Sequence, residues 1–183
     1  INSLPVTVRV TSYDKEFRQI IIRNDFFGGK RHFLFDRNTG ALQQLSAPQS
    51  EQYVRMFSNP QWVEMINIDG DTFTGYYYPA QTKLNNKPTP AIIKLHGGPS
   101  ERVYPDYDKE ALFMANRGYA VLTLNYSGST GFGKTYQRRA YQNMDLMLAE
   151  ITTAAEWLRS EKGITAEIGL FGGSFGGYLS VLA

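Results

Sequence analysis

Cysteine is absent from this chain of 183 residues, and only two histidines are present. Without thiols the fold can hold no disulfide and no metal site built on thiolates. The cellular compartment stays open, because a chain without cysteine is compatible with reducing and oxidising surroundings alike. We predict neither a metal nor any other cofactor for this chain.

A strong charge of one sign and a long apolar run are also missing. Lys and Arg number 19 against 17 Asp and Glu, which leaves a formal net charge of +2. Such a small charge does not favour binding to phosphate-rich partners. The longest apolar runs, such as AVLTL, are far shorter than the roughly 18 residues of a membrane helix. We therefore predict neither nucleic acid nor a membrane as partner.

The first part of the chain is a series of short β-rich runs. PVTVRV, FRQIIIR, RHFLFD and ALQQL follow one another between Pro5 and Leu45, with turn residues such as Asn38-Thr39-Gly40 between them. This rhythm predicts an antiparallel four-stranded sheet within residues 1–58. A sheet of this kind has two open edges, so it is expected to belong to a larger structure such as a propeller or a sandwich. The polar stretch SAPQSEQ that follows predicts a boundary.

The second part, residues 59–183, changes to an α/β rhythm. The runs WVEMINI and TFTGYYY flank Asp69-Gly70 and predict a hairpin, and the later apolar runs AIIKL, YAVLTLNY and EIGLF alternate with helical segments. Strands that alternate with helices indicate a parallel sheet covered on both faces. The longest helix is predicted from about Asn143 to Glu161, with Gly163 as its left-handed C-cap. Its predicted buried stripe contains Leu146, Leu148, Ile151, Ala155 and Leu158.

A glycine-rich pentapeptide directly follows the last of these strands. Gly172-Gly173-Ser174-Phe175-Gly176 fits the pattern G-x-S-x-G at a junction between a strand and a helix. Glycines two positions before and two after the serine remove Cβ atoms that would collide in so sharp a turn. The serine hydroxyl is then expected at a helix N-terminus, where free amides favour an oxyanion. The alternative is a glycine-rich turn with an incidental serine.

A second glycine pair follows the strand AIIKL. His96-Gly97-Gly98-Pro99 stands where an α/β-hydrolase loop supplies a backbone N–H to the oxyanion. For His96 we predict an orienting or hydrogen-bonding role in this loop rather than the role of a catalytic base. The alternative is an ordinary tight turn.

The combination of these motifs resembles the first part of the catalytic domain of the prolyl oligopeptidase family, from about Gln61 to Ala183. The shared motifs are the hairpin with Asp69-Gly70, HGGPS, GYAVLTLNYSGSTGFGK and GGSFGGY. The resemblance implies a peptide substrate, an α/β-hydrolase domain that begins at about residue 59, and a β-propeller whose last blade is residues 1–58. It also implies Ser174 as nucleophile, with the backbone N–H groups of Phe175 and Gly98 as oxyanion donors. Supporting roles in the two loops are assigned to His96, Gly97, Gly172 and Gly176.

Two features depart from what this resemblance leads one to expect. Ser127 stands where the family usually has an arginine, which removes a charged contact. In α/β-hydrolases the triad runs Ser, Asp or Glu, then His along the chain, so the acid and base are expected beyond Ala183. We accordingly interpret the chain as a fragment that is inactive alone. The cleavage-site preference, the compartment and the oligomeric state stay open.

Two other readings of the sequence remain. Gly128 to Thr135 fits G-x-x-x-x-G-K-[ST], the phosphate-binding loop of P-loop NTPases, although this reading leaves HGGP and GGSFGG unexplained. The other alternative is a catalytically dead binding or scaffolding module that keeps only the first strands of the hydrolase.

Overall fold

The computed structural model describes residues 7–26, 29–46, 59–82, 87–105, 108–139 and 143–183. The chain divides into two compact units. One unit is Ile1–Phe57 with Tyr104–Lys109, and the other is Ser58–Val103 with Glu110–Ala183. Pro5 and Val6 of the first β-rich run lie outside the described residues, as does the polar stretch that we interpret as a boundary from residue 47 onward.

The first unit contains a four-stranded antiparallel sheet in which the strands follow one another in chain order. Ile22 pairs with Phe33, and Phe35 pairs with Leu42. The last turn closes where Gly40, at φ 71°, donates its N–H to the Asp36 carbonyl. The predicted antiparallel sheet is thereby confirmed. Its strands are β1 (Thr7–Tyr13), β2 (Gln19–Phe26), β3 (Gly29–Asp36) and β4 (Leu42–Gln44).

The second unit contains a five-stranded sheet in the order β5-β6-β8-β7-β9. Strands β5, β6 and β8 pair antiparallel, whereas β8, β7 and β9 are parallel to one another. The expected parallel sheet is therefore mixed, because the hairpin of β5 and β6 adds to it through the edge of β8. Its strands are β5 (Gln61–Ile66), β6 (Thr72–Tyr78), β7 (Ala91–Leu95), β8 (Ala120–Asn125) and β9 (Ile168–Gly172).

The described helices are α1 (Lys109–Asn116), α2 (Lys134–Arg138), α3 (Met144–Lys162) and α4 (Phe175–Leu182). Helix α3 packs against β5 and β7, and α4 packs against β7 and β9. Gly163 ends α3 at φ 63°, as predicted.

The buried face of α3 differs from the predicted stripe. Leu148 and Ala155 lie at its margin and are only partly buried. The completely buried positions include a carboxylate, Glu150. The side chains on this face are Leu146, Met147, Glu150, Ile151, Ala154 and Leu158.

The register of the parallel strands brings three loops to one edge of the sheet. Leu95 at the end of β7 pairs with Leu124 of β8 on one side and with Gly172 of β9 on the other. The segments that follow these strands therefore emerge side by side at the carboxyl edge, which is where ligands bind in open α/β sheets.

Strand β9 is an outermost strand of this sheet, and it pairs with β7 alone among the described strands. The sequence predicts a fully buried strand here, but alternate residues are exposed, including 41% of Phe171. No helix in the described part of the chain has the length and apolar character needed to cross a membrane.

Candidate active site

Ser174 occupies the junction between β9 and α4. Its backbone lies at φ 53° and ψ −124°, a region that non-glycine residues rarely adopt, and its side chain is exposed. A serine at a helix N-cap usually accepts a hydrogen bond from the first turn, but Ser174 makes no such bond. Since strained backbone of this kind costs about 1–3 kcal/mol and clusters at functional sites, the turn is a candidate site. It exposes the hydroxyl at a helix N-terminus.

The glycines of the same turn differ in how tightly they are packed. A Cβ on Gly172 would lie 2.6 Å from the Gly176 carbonyl oxygen. A Cβ on Gly176 would collide with the Leu95 carbonyl oxygen and lie 2.6 Å from that of His96. Gly173, by contrast, faces open space. Glycine is thus sterically required at 172 and 176, where helix α4 begins against the end of β7.

The loop after β7 lies directly beside Ser174. A Cβ on Gly97 would be 3.3 Å from the Gly173 carbonyl oxygen and 3.5 Å from the Ser174 Cβ. Gly98 has φ 118°, and a Cβ there would be 2.5 Å from the Ser100 nitrogen. The structure therefore brings the two glycine motifs together, although 74 intervening positions separate their first glycines, Gly97 and Gly172.

His96 is partly buried, and both of its ring nitrogens are engaged. Nδ1 lies 2.7 Å from the Gly97 carbonyl oxygen, and Nε2 lies 2.8 Å from Ser129 Oγ. The ring stacks on Tyr126 with centroids 4.3 Å apart, and the Tyr126 hydroxyl donates to the His96 carbonyl at 2.7 Å. Burial lowers the pKa of His96, against smaller opposing effects of the Gly97 hydrogen bond and of Glu101. The ring is therefore neutral near pH 7.

Glu150 forms a buried polar cluster with Ser127 and Asn67, which sequence reasoning did not foresee. The Ser127 N–H and hydroxyl donate to the carboxylate at 2.6 and 2.7 Å, and Asn67 Nδ2 donates at 2.9 Å. Burial raises the pKa of Glu150, although these hydrogen bonds oppose the change. Ser127, which stands where the resemblance leads one to expect an arginine, thus gives a buried carboxylate two hydrogen bonds. The available signal was a glutamate among the apolar positions of α3.

The loop from Gly128 to Thr135 does not have the geometry of a phosphate-binding loop. Gly128 N–H donates to Tyr136 O, Ser129 N–H to Tyr126 O, and Thr130 N–H to Glu101 O, at 3.1, 3.0 and 2.8 Å. A phosphate cradle needs such amides free. The following helix α2 has five residues, and Ser129 is completely buried. The P-loop interpretation is therefore wrong.

The described residues offer no competing metal centre, since they contain no group of three or more His, Asp or Glu side chains placed to hold an ion. A groove of about 500 Å³ lies at the opposite edge of the sheet from Ser174, where β7 and β9 begin. It is lined mainly by proline and by oppositely charged side chains. Ser174 and the glycine loop after β7 are therefore the candidate site at the carboxyl edge of the sheet.

Known proteins similar to this chain are found both by family and by individual sequence. Residues 105–183 match the model of the prolyl oligopeptidase family. Dipeptidyl aminopeptidase BIII of Pseudoxanthomonas mexicana is 32% identical over 160 residues, which cover 82% of this chain and 23% of that protein. Dipeptidyl peptidase family member 6 of Caenorhabditis elegans is 37% identical over 99 residues, which cover 52% of this chain and 13% of that protein.

The fold has counterparts among solved structures. An acylaminoacyl peptidase of Pyrococcus horikoshii superimposes with a TM-score of 0.77 at 24% identity, over 95% of this chain and 28% of that one. At this identity the similarity concerns the fold alone. The chain spans about a quarter or less of the length of these relatives.

Proposed function

The chain belongs to the prolyl oligopeptidase family, and from that membership and the position of Ser174 we propose that it carries the nucleophile of a serine peptidase. The proposed reaction is hydrolysis of a peptide bond through an acyl-enzyme on Ser174. The observation that supports it best is a serine at φ 53°, at the start of a helix, in contact with a second glycine loop.

The proposed chemistry uses two backbone N–H groups. Ser174 Oγ attacks the substrate carbonyl carbon while a base takes its proton, and the carbonyl oxygen becomes an oxyanion. Phe175 begins α4, so its N–H has no acceptor within the helix and is free for that oxyanion. The Gly98 N–H is the second donor. Collapse of the intermediate breaks the C–N bond, and the base passes its proton to the departing amine. Water, deprotonated by the same base, then releases the acyl group from Ser174, which recovers its proton.

The acid and base of the triad are proposed to come from sequence that follows Ser174 in the whole protein, which is their order in α/β-hydrolases. His96 is unsuited to act as base, because both of its ring nitrogens already face oxygen atoms. His32 belongs to the other compact unit. The 183 residues alone are therefore expected to lack turnover.

The division of the chain follows the same proposal. Residues 1–58 form the last blade of a β-propeller, and residues 59–183 form the first part of the catalytic domain. The ordered antiparallel sheet of the first unit supports this assignment, because one propeller blade is a four-stranded antiparallel sheet.

Turnover of a peptide nitroanilide by the full-length protein tests the proposal. Ser174→Ala should reduce kcat by about 10⁶-fold, the size of the loss when a serine nucleophile is removed. Ser160→Ala is the matched control, because Ser160 is an exposed serine on α3. Equal activity of the Ser174→Ala variant and the wild type would contradict the assignment.

A further inference from the structure

Glu101 lies directly after the glycine loop that follows β7, and hydrogen bonds hold the backbone around it. The Glu101 carbonyl accepts the Thr130 N–H at 2.8 Å. Two residues further on, the Val103 N–H donates to Asn125 Oδ1, also at 2.8 Å. Asn125 ends β8, and Thr130 lies in the loop that follows it. The sheet and its loops therefore determine where Glu101 stands.

The side chain of Glu101 turns back toward Gly98. A Cβ built on Gly98 would lie 3.2 Å from Glu101 Cγ. Since a carbon–carbon bond is about 1.5 Å long, Cγ lies within about 5 Å of the Gly98 Cα. Burial lowers the pKa of His96, and the negative charge of Glu101 is one of the effects that oppose this change. The carboxylate thus lies beside the loop that carries the proposed oxyanion donor.

The Glu101 side chain is exposed and has no partner among the residues that the structure describes. No ion pair and no side-chain hydrogen bond engages it there. The guanidinium of the neighbouring Arg102 packs on the ring of Phe132, 4.5 Å from its centre. The charge of Glu101 is therefore available to a molecule that binds at the carboxyl edge of the sheet.

This negative charge opposes the proposed chemistry unless something neutralises it. The Gly98 N–H is proposed to donate to an oxyanion, and a carboxylate a few ångström away raises the energy of that oxyanion. A positive charge on the substrate that contacts Glu101 would remove the repulsion and add an ion pair. The acyl part of the substrate is the part that carries the oxyanion, so it is the part held beside Glu101.

We propose that Glu101 is a specificity residue that binds a positively charged group on the acyl side of the peptide substrate. This inference rests on the proposed function, because it takes the site at Gly98 as the place of reaction. The group is an ammonium or a guanidinium, since both offer the N–H donors that a carboxylate accepts. It belongs either to a lysine or arginine side chain or to a free amino terminus, and the substrates below distinguish these two sources.

Three peptide nitroanilides test this in the full-length protein. One is neutral with a blocked amino terminus, one is blocked with lysine before the scissile bond, and one is neutral with a free amino terminus. Glu101→Gln should lower kcat/KM about fivefold for a cationic substrate, the value of an exposed ion pair. For the neutral substrate it should raise kcat about twofold, because the charge that opposes the oxyanion is gone. Glu161→Gln, the same change at an exposed position on α3, is the control and should alter neither.

Opposite effects on cationic and neutral substrates are a readout that a merely structural role of Glu101 would not produce. A loss with the lysine substrate alone would identify a side chain as the bound group, and a loss with the free amino terminus alone would identify the terminus. Unchanged kinetics for all three substrates, or an equal change for all three, would overturn the assignment of Glu101.

Calorimetric binding of the same peptides to full-length Ser174→Ala protein gives a measurement that does not depend on turnover. A cationic peptide should bind about fivefold more tightly than the neutral one, and high salt should reduce this difference because it screens exposed charges. Adding Glu101→Gln should abolish the difference, and a difference that persists would overturn the inference. Wild-type protein without Ser174-dependent turnover would instead refute the proposed function, while the binding comparison would still decide on Glu101.

Discussion

At the scale of single residues, the turn that carries Ser174 tolerates a side chain at some of its glycine positions and not at others. Gly176 packs on the Leu95 and His96 carbonyls, whereas Gly173 faces open space. Gly176→Ala should therefore destabilise the fold by about 1–3 kcal/mol, the usual cost of forcing an atom into packed backbone. Gly173→Ala is the control and should change the free energy of unfolding by less than about 0.5 kcal/mol. Urea unfolding measures both, and equal effects would contradict the packing.

Glu150 provides a second prediction at this scale, on pH dependence. Burial raises its pKa, opposed by hydrogen bonds from Ser127 and Asn67 and by the charge of Arg139. A raised pKa in the folded state means that this carboxyl stabilises the fold most below its ordinary pKa of about 4.3, and that this contribution is lost as pH rises through the folded pKa. The stability advantage of wild type over Glu150→Gln should thus shrink from acid toward neutral pH.

Glutamine is not a neutral replacement at this position. Asn67 Nδ2 is a fixed donor, because the Asn67 oxygen accepts the N–H groups of Asp69 and Asp71. The Ser127 group is a backbone N–H and can only donate. One of them would face the glutamine NH₂, at a cost of about 1–3 kcal/mol. Urea unfolding of both proteins across the acid range gives the comparison. An advantage that grows as pH rises would refute the assigned direction of the pKa change.

At the scale of elements, helix α3 has a defined start that can be tested independently of catalysis. The Asn143 side chain accepts the Leu146 N–H at 3.0 Å. Asn143→Ala should destabilise the protein by about 1 kcal/mol, whereas Asn143→Asp keeps an acceptor and should be nearly neutral. Thermal unfolding would distinguish the two, and equal melting temperatures would show that the cap is unimportant.

Strand β9 supports another prediction, on self-association of the 183-residue chain. Its outer edge has no partner among the described strands, and Phe171 is 41% exposed. An open apolar edge promotes pairing between molecules, and a lysine opposes it. Phe171→Lys should therefore reduce aggregation measured by light scattering. Phe113→Lys is the control, since Phe113 is 60% exposed on a helix. Equal improvement by both variants would show that general hydrophobicity, not the strand edge, drives association.

Local patterns predicted the elements well, and distant contacts were harder to foresee. AIIKL gave the bounds of β7 directly, and glycine spacing indicated the turn at Ser174. The placement of β8 between β6 and β7 depends on pairings between distant segments, so no local pattern reveals it. The bonds of Ser127 to Glu150 and of His96 to Ser129 span 23 and 33 positions. These polar contacts exist only once the strands have been aligned.

At the scale of the whole molecule, the parallel register explains why separate motifs become one site. Leu95 pairs with Gly172, so the loops that begin one residue later meet at the same edge. The loop after β8 then holds His96 through Tyr126 and Ser129. The proposed site is therefore built by three loops of one sheet. The loop after β9 carries the proposed nucleophile, the loop after β7 the proposed oxyanion donor, and the loop after β8 supports the loop after β7.

The most direct test of the central claim is labelling of the full-length protein with a fluorophosphonate, followed by peptide mapping in a mass spectrometer. The reagent reacts with activated serine nucleophiles, so its site of attachment identifies the residue that forms the acyl-enzyme. We predict one modified residue, Ser174, and loss of labelling in Ser174→Ala with labelling retained in Ser160→Ala. Attachment to another residue, or undiminished labelling of Ser174→Ala, would contradict the assignment of Ser174 as the nucleophile.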